Sequence, residues 1–555
     1  GEPSSGDLLE GVDLTWSRVQ GGDAVRAKVD DAIRAFDVRE PSRIVPALLE
    51  IDRALDGVGD ADWASAKRRE LHEIVRAATG LWIEALATRA TVVPGEEIPV
   101  VATAIARAGV PVTLESVRVT HSADAAAAPS ALPPNEPVKR TVTTRVPAGA
   151  RYTQPFWLEE RPGKGRFTVA DRAIACEAEG PPALAAKFAL TIGGRRIELE
   201  TPVAYRWVDP VRGELEQVVE IVPPVTVEVS HALVFPDARP RAVRATVRAG
   251  ADGAKGTLRL RAPAGWAVTP AEAEIALAKR EDEREVTFTI TPPEAPADAT
   301  LSAEVEIGGA RVSRSRVRID HPHVRAQTLF PPADVRLVRV DVARVGSRVG
   351  YVEGAGDEVP GVLEQLGYDV AVISDEELER GDLAGFDAIV TGVRAYNVRP
   401  RMRALQPKLL RWVEDGGTLV VQYNTSADLV TDALGPFPLQ LSRDRVTVEE
   451  APVRLVVPEH AVLRTPNRIG ASDFDGWVQE RGLYFAGKWD PRYEAPLSTG
   501  DPGEPAKEGS LLVARHGKGV FVYTSLAFFR QLPAGVPGAL RLFANLVSAR
   551  ADHHG

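Results

Sequence analysis

A chain of 555 residues is too long for one hydrophobic core and predicts roughly three to five domains. Its 44% hydrophobic and 26% charged content describes an ordinary globular protein, and a net charge of −10 without a basic face argues against a general nucleic-acid binder. The one cysteine, Cys176, stands in a strand-like context and excludes an internal disulfide framework and thiolate metal sites.

No run of about 18 apolar residues is present, so no transmembrane helix is expected. The chain starts at Gly1, without Met and without a signal peptide, which reads as a processed precursor or a fragment.

Residues 1–89 read as a helical segment. Apolar positions recur at spacings of three and four from Ala24 to Ile33, again from Val45 to Leu55, and along a third helix from Trp63 to Leu86. Pro41 and the Gly57/Gly59 pair punctuate them, and Trp16, Trp63 and Trp82 are the expected packing residues.

At Ala90 the period changes to alternation. Short strands are predicted at Ile98–Ala106, Val112–Thr120, Arg140–Val146, Arg151–Leu158 and Phe167–Ala170, and the run from Ala189 to Glu198 reads as a hairpin turning at Gly193-Gly194. Residues 90–213 are thus assigned to a β-sandwich. A second all-β block, 214–330, ends on Ile307-Gly308-Gly309, echoing Ile192-Gly193-Gly194. The echo suggests two tandem sandwiches, with Pro331-Pro332 as the linker out of them.

Residues 335–555 alternate strand and helix. Arg348–Val352 runs through Glu353-Gly-Ala-Gly-Asp357 into a helix from Val359 to Leu366, the opening βα unit of a doubly wound domain. Asp369–Ile373, Phe386–Gly392 and Thr418–Tyr423 are further strands, and their unbroken apolar character is that of a parallel sheet covered on both faces. Helices are predicted at Met402–Glu414 and Gly538–Ser548, and a hairpin through Arg515–Gly519. The expected fold class is therefore multidomain α+β: a helical segment, two tandem β-sandwiches and a C-terminal α/β flavodoxin-like domain.

Four runs carry a resemblance: Gly381-Asp-Leu-Ala-Gly-Phe-Asp-Ala-Ile-Val-Thr-Gly-Val-Arg-Ala-Tyr-Asn397, Gly416-Gly-Thr-Leu-Val-Val-Gln-Tyr-Asn424, Asp473-Phe-Asp-Gly-Trp-Val-Gln-Glu-Arg-Gly-Leu-Tyr484 and Phe529-Arg-Gln-Leu-Pro-Ala-Gly-Val-Pro-Gly538. Together the chain resembles the C-terminal region of large bacterial PIG-L (LmbE-like) deacetylases, whose last domain is class I glutamine amidotransferase-like (ThuA-like). Gly11-Val-Asp-Leu-Thr-Trp16 looks like the segment just after the catalytic domain. The resemblance implies a parent reaction of zinc-assisted hydrolysis of N-acetyl groups on amino sugars or glycoconjugates. It also implies a PIG-L domain as partner and an exported protein.

The zinc motif His-Pro-Asp-Asp is absent, and its nearest string, His321-Pro322-His323, lacks the acids. No metal and no cofactor is therefore expected in this chain, zinc belonging to the missing domain. His553 and His554 lie in a polar tail. The amidotransferase cysteine is absent too, so no catalytic residue is assigned. Ser426 with His460 or His516 and Asp473 or Asp475 is an alternative hydrolase reading, without a Gly-x-Ser-x-Gly motif.

A binding reading places Arg394, Tyr396 and Asn397 after one strand, and Tyr423 and Asn424 after another, so both groups meet at the carboxyl edge of the sheet. Asp473, Asp475, Trp477 and Gln479 come from a long insertion that also holds Glu480 and Arg481. Planar amides, aromatic faces and an arginine suit a hydroxyl-rich ligand such as a glycan or amino-sugar conjugate. The competing accounts are loop-pinning roles for the same residues and a purely structural or assembly module.

Overall fold

The computed structural model describes residues 13–123, 126–229 and 232–549; Gly11, Val12, His553 and His554 lie outside them. The chain is multidomain and β-rich, with 36% strand and 21% helix and with helices at its N-terminal end.

Three helices open it: α1 (Gly22–Ala35), α2 (Val45–Ala54) and α3 (Ala61–Ala78). Asp60 caps α3 by accepting from Trp63 N, and Trp16 packs edge-on against Trp63 at 4.3 Å. The third helix stops eight residues before its expected end at Leu86. Gly80 turns the chain at φ 57°, and Trp82–Ala87 is a strand, β1, with Ile83, Ala85 and Ala87 buried in alternation.

The first β block comprises β1, β2 (Glu97–Ile105), β3 (Val112–Val119), β4 (Ala126–Ala131), β5 (Val138–Arg145), β6 (Ala185–Ile192), β7 (Arg195–Asp209) and β8 (Gly213–Val218). They run in the order β4-β3-β6-β7-β1-β2-β5, with β8 on the outer part of β7. The strands expected at Arg151–Leu158 and Phe167–Ala170 are instead irregular chain with single 3-10 turns, and Cys176 is exposed there.

The core of the second block lies between two sheets, and a separate two-stranded ribbon pairs Val317–Ile319 with Gln327–Leu329. One sheet is β9 (Val225–Glu228), β11 (Arg241–Ala249), β15 (Glu283–Thr291) and β13 (Ala267–Thr269). The other is β10 (Ala232–Phe235), β18 (Asp334–Arg339), β16 (Ala297–Ile307), β12 (Ala254–Arg261) and β14 (Ala273–Leu277), with β17 (Ala310–Val312) on β16. Val227, Val247 and Phe288 of the first sheet share a core with Leu258, Leu301 and Leu337 of the second. The strand from Asp334 pairs with β16 and β10, so it belongs to this block and not to the α/β region. Both Ile-Gly-Gly turns form tight hairpins, with Gly193, Gly194, Gly308 and Gly309 all at positive φ, but the sheet orders around them differ.

The third region is a doubly wound sheet: β19 (Arg348–Val352), β20 (Asp369–Val372), β21 (Ala388–Thr391), β22 (Thr418–Val421), β23 (Leu511–His516) and β24 (Gly519–Thr524). The order is β20-β19-β21-β22-β24-β23, parallel except for the last pair. Successive residues of the central strands feed opposite cores. Val390, Val420 and Val522 pack with α4 (Val359–Gln365) and α8 (Pro537–Val547). Ile389, Leu419 and Phe521 pack with α7 (Met402–Glu414). That double burial explains the continuous apolar runs. The shorter α5 (Asp375–Arg380) follows β20, and α6 (Ala395–Val398) follows β21.

Candidate functional site

The strand order reverses between β19 and β21, which is where a doubly wound sheet opens its ligand crevice. Here the two loops are zipped together. Ala355 N donates to Val393 O at 2.8 Å, and the Asp357 carboxylate accepts from Val393 N and Val359 N, both at 3.1 Å, and from the Tyr351 hydroxyl. A Cβ on Gly354 would sit 2.1 Å from Val393 O, so the glycine is there for close packing of two loops. Burial and the neighbouring Asp357 carboxylate push the Tyr351 phenol well above its ordinary value.

The groups read at the edge do meet. Arg394 N donates to Tyr423 O at 2.8 Å, joining the turn after β21 to the turn after β22. Three of the five polar side chains, however, are engaged inside the fold, two of them with backbone. Asn424 is fully buried; its Oδ1 accepts from Tyr396 N at 2.9 Å and its Nδ2 donates to Gln422 O at 2.9 Å. Tyr396 is fully buried and its hydroxyl donates to Gln406. Asn397 Nδ2 donates to Thr425 O and Ala427 O at 3.2 and 2.9 Å, while its Oδ1 accepts from Thr425 N at 3.0 Å.

The insertion behaves similarly. Asp473 is buried, bound to Arg541 at 2.9 Å and to Gly470 N at 2.8 Å. Trp477 is core, packed on Phe474 and Phe528, with its indole N–H on Asp473 O. Asp475 and Gln479 remain exposed on the turn before Glu480.

What faces outward around Tyr423 is an aromatic shelf. The half-buried Tyr423 ring lies 5.2 Å from Phe529 and 6.2 Å from Tyr484, the latter parallel within 13°. Arg530 stands 4.8 Å over Phe529 and is oriented by Glu480 at 2.7 Å. Arg394 is exposed, and among the described residues its side chain has no ion pair or hydrogen bond. Burial pushes the Tyr423 phenol up against the opposing fields of Arg394 and Arg530.

Among the described residues, four of the seven non-glycine positions with positive φ lie in these loops: Arg394, Asp428, Gln479 and Tyr484. Each costs on the order of 1 kcal/mol, and such strain concentrates at functional sites. Tyr484 is held in its strained conformation by the Tyr523 hydroxyl on its carbonyl at 3.0 Å. Tyr484, Phe529 and Arg530 were not legible as site residues, because only long-range packing brings them to Tyr423. Beyond Thr425 the same loop lines an open groove of about 690 Å3 with Ser426, Leu429, Asp432, Gln440, Lys488 and Trp489 among its walls.

The hydroxyl-nucleophile arrangement is not assembled. The chain after β22 is irregular through Ser426, with no helix to form a strand-to-helix elbow. The turn of that shape, at positive φ, is at Arg394 before α6, and it presents a cation. His460 caps a short helix by accepting from Val462 N at 3.2 Å and faces Glu494 at 3.5 Å, Asp473 is committed to Arg541, and His516 packs edge-on to Phe437. His321 and His323 are exposed with rings 5.9 Å apart, and no cluster of three or more His, Cys, Asp or Glu suited to a metal exists among the described residues. Two imidazoles alone do not make the donor set of a zinc centre.

No family model matches the chain, and no curated protein matches it. Among solved structures it is similar to WR4, a C. elegans MSP family member, at 11% identity and a TM-score of 0.14, over 21% of this chain and 97% of that one.

Proposed function

We propose that this chain is a non-catalytic accessory region of a PIG-L (LmbE-like) zinc-dependent N-deacetylase that binds glycan or amino-sugar ligands on its last domain. In this reading the β blocks are two tandem sandwiches, and the doubly wound region is a flavodoxin-like, amidotransferase-like domain without its nucleophile. One observation carries the binding role: the shelf of Tyr423, Tyr484 and Phe529 at the carboxyl edge, flanked by the unpaired Arg394. Aromatic faces stack on the apolar face of a sugar ring, and an unpaired guanidinium donates to its oxygens. The groove beginning at Ser426 would take further units of a longer glycan.

The test is calorimetric titration with glucosamine, N-acetylglucosamine and their short oligomers. Saturable binding is expected, weakened about tenfold by Tyr423→Ala, equivalent to about 1.4 kcal/mol. Absence of saturable binding, or equal affinity in Tyr423→Ala, contradicts the reading.

A second reading, domain positioning, is favoured by the contacts the last domain makes with both β blocks. Lys164 reaches Glu449 and Glu450 at 2.9 and 2.7 Å, Gln365 accepts from Val234 N at 2.7 Å, and Arg336 donates to Ala534 O at 2.6 Å.

A further inference from the structure

Where the two β blocks meet, the irregular chain 153–183 folds over a half-enclosed cavity of about 120 Å3. Its walls come from the first block (Gln154, Trp157, Pro202, Val218), from the connection between blocks (Glu220) and from the end of the second (Arg325, Gln327, Thr328). The volume is near the roughly 150 Å3 that accommodates a benzene-sized guest.

Of the charged side chains on the wall, Glu220 has no direct ion pair among the described residues, whereas Glu179 and Arg325 pair with each other. Glu220 is partly buried, and burial pushes its carboxyl above the ordinary glutamate value. Its side chain has a single hydrogen bond, from the Thr328 hydroxyl at 3.1 Å. Three arginines lie close enough to act on it electrostatically, and each is already paired elsewhere: Arg316 with Glu281 at 2.7 Å, Arg318 with Asp320 at 3.2 Å, and Arg325 with Glu179. Gln154 Oε1 accepts from Phe330 N at 3.0 Å, and its NH2 is unengaged among the described residues.

A shielded carboxylate served only by distant, already paired guanidinium groups is costly, and the usual resolutions are protonation or a closer partner charge. A cavity beside it, walled by an indole, favours a partner.

We propose that this cavity binds a small organic ammonium ion, its cationic head against Glu220 and its carbon chain against Trp157. The size limits the guest to roughly six or seven heavy atoms. An indole wall adds attraction for a cation that a neutral polyol of the same shape does not receive. The cavity belongs to the junction of the β blocks, so it stands apart from the aromatic edge of the last domain and goes beyond the function proposed above.

The experiment is thermal unfolding of the full chain at neutral pH with ethanolamine hydrochloride, against sodium chloride of equal ionic strength and against ethylene glycol as the neutral isostere. Ethanolamine is expected to raise the Tm by about 2–4 °C at saturation, with neither control doing so. Glu220→Gln is expected to fold, since it removes a shielded charge that has no direct ion pair and keeps an acceptor for Thr328, and to weaken the effect about tenfold. Trp157→Leu is expected to weaken it about threefold, and it decides the matter if Glu220→Gln does not fold. A shift no larger than that of sodium chloride, an equal shift with ethylene glycol, or an undiminished shift in the variants would overturn the proposal.

Discussion

Asp52 gathers the N-terminal helices onto the first β block. It is 1% exposed and takes Arg68 at 3.1 Å, His72 at 3.0 Å and Arg195 at 2.6 Å, with Arg68 and Arg195 also reaching Asp56. Burial by itself would raise its pKa, but the hydrogen bonds from His72 and Arg195 outweigh that and hold the carboxyl at about 2. A depressed carboxyl stabilises the fold above its unfolded value near 3.8 and loses that contribution as the pH falls through about 2. Asp52→Asn is expected to cost about 2 kcal/mol or more in urea unfolding at pH 6. The gap between wild type and variant should close as the pH approaches 2; a gap independent of pH contradicts the ionic account.

At the scale of elements, the carboxyl edge owes its shape to loops fastened by amides. Asn397 makes three hydrogen bonds to the chain from Thr425 to Ala427, each worth roughly 1 kcal/mol. Asn397→Ala should therefore speed amide exchange at Thr425 and its neighbours severalfold, while β21 and β22 stay protected. Unchanged exchange there would contradict the pinning role.

The strand ends were legible in the sequence because a buried parallel strand shows as an unbroken apolar run. The meeting of Arg394 with Tyr423 follows from that and from strand order. Which polar residues are consumed by backbone was not legible: Asn424 and Asn397 look alike in sequence to ligand-binding amides, and only the fold shows which carbonyls they serve. The same limit explains Trp82–Leu86. The run satisfies a helical period as well as an alternating one, and pairing with Glu97–Ile105 decides for strand.

At the scale of the whole molecule, the last domain is seated on the second block through α4, Gln365 and Arg336. Gln365 serves twice, its side chain on Val234 N and its carbonyl on the Arg241 guanidinium. Arg336 ties Ala534 O to the sheet that also holds Asp298. Arg336→Ala is expected to loosen this seat and to raise the rate of tryptic cleavage at Arg344, in the connection Asp341–Ser347, severalfold. An unchanged cleavage rate would place the stiffness of the joint elsewhere, in the bonds that Ala343 N and Val345 N donate to Asn467 and Ser548.

We propose sugar binding on the shelf at the carboxyl edge of the doubly wound sheet. The most direct measurement is a crystal structure of the chain soaked with an N-acetylglucosamine oligomer. A pyranose ring is expected stacked on Tyr423 between Tyr484 and Phe529, with Arg394 bonded to its oxygens. A shelf left unoccupied while sugar binds elsewhere on the chain would contradict it.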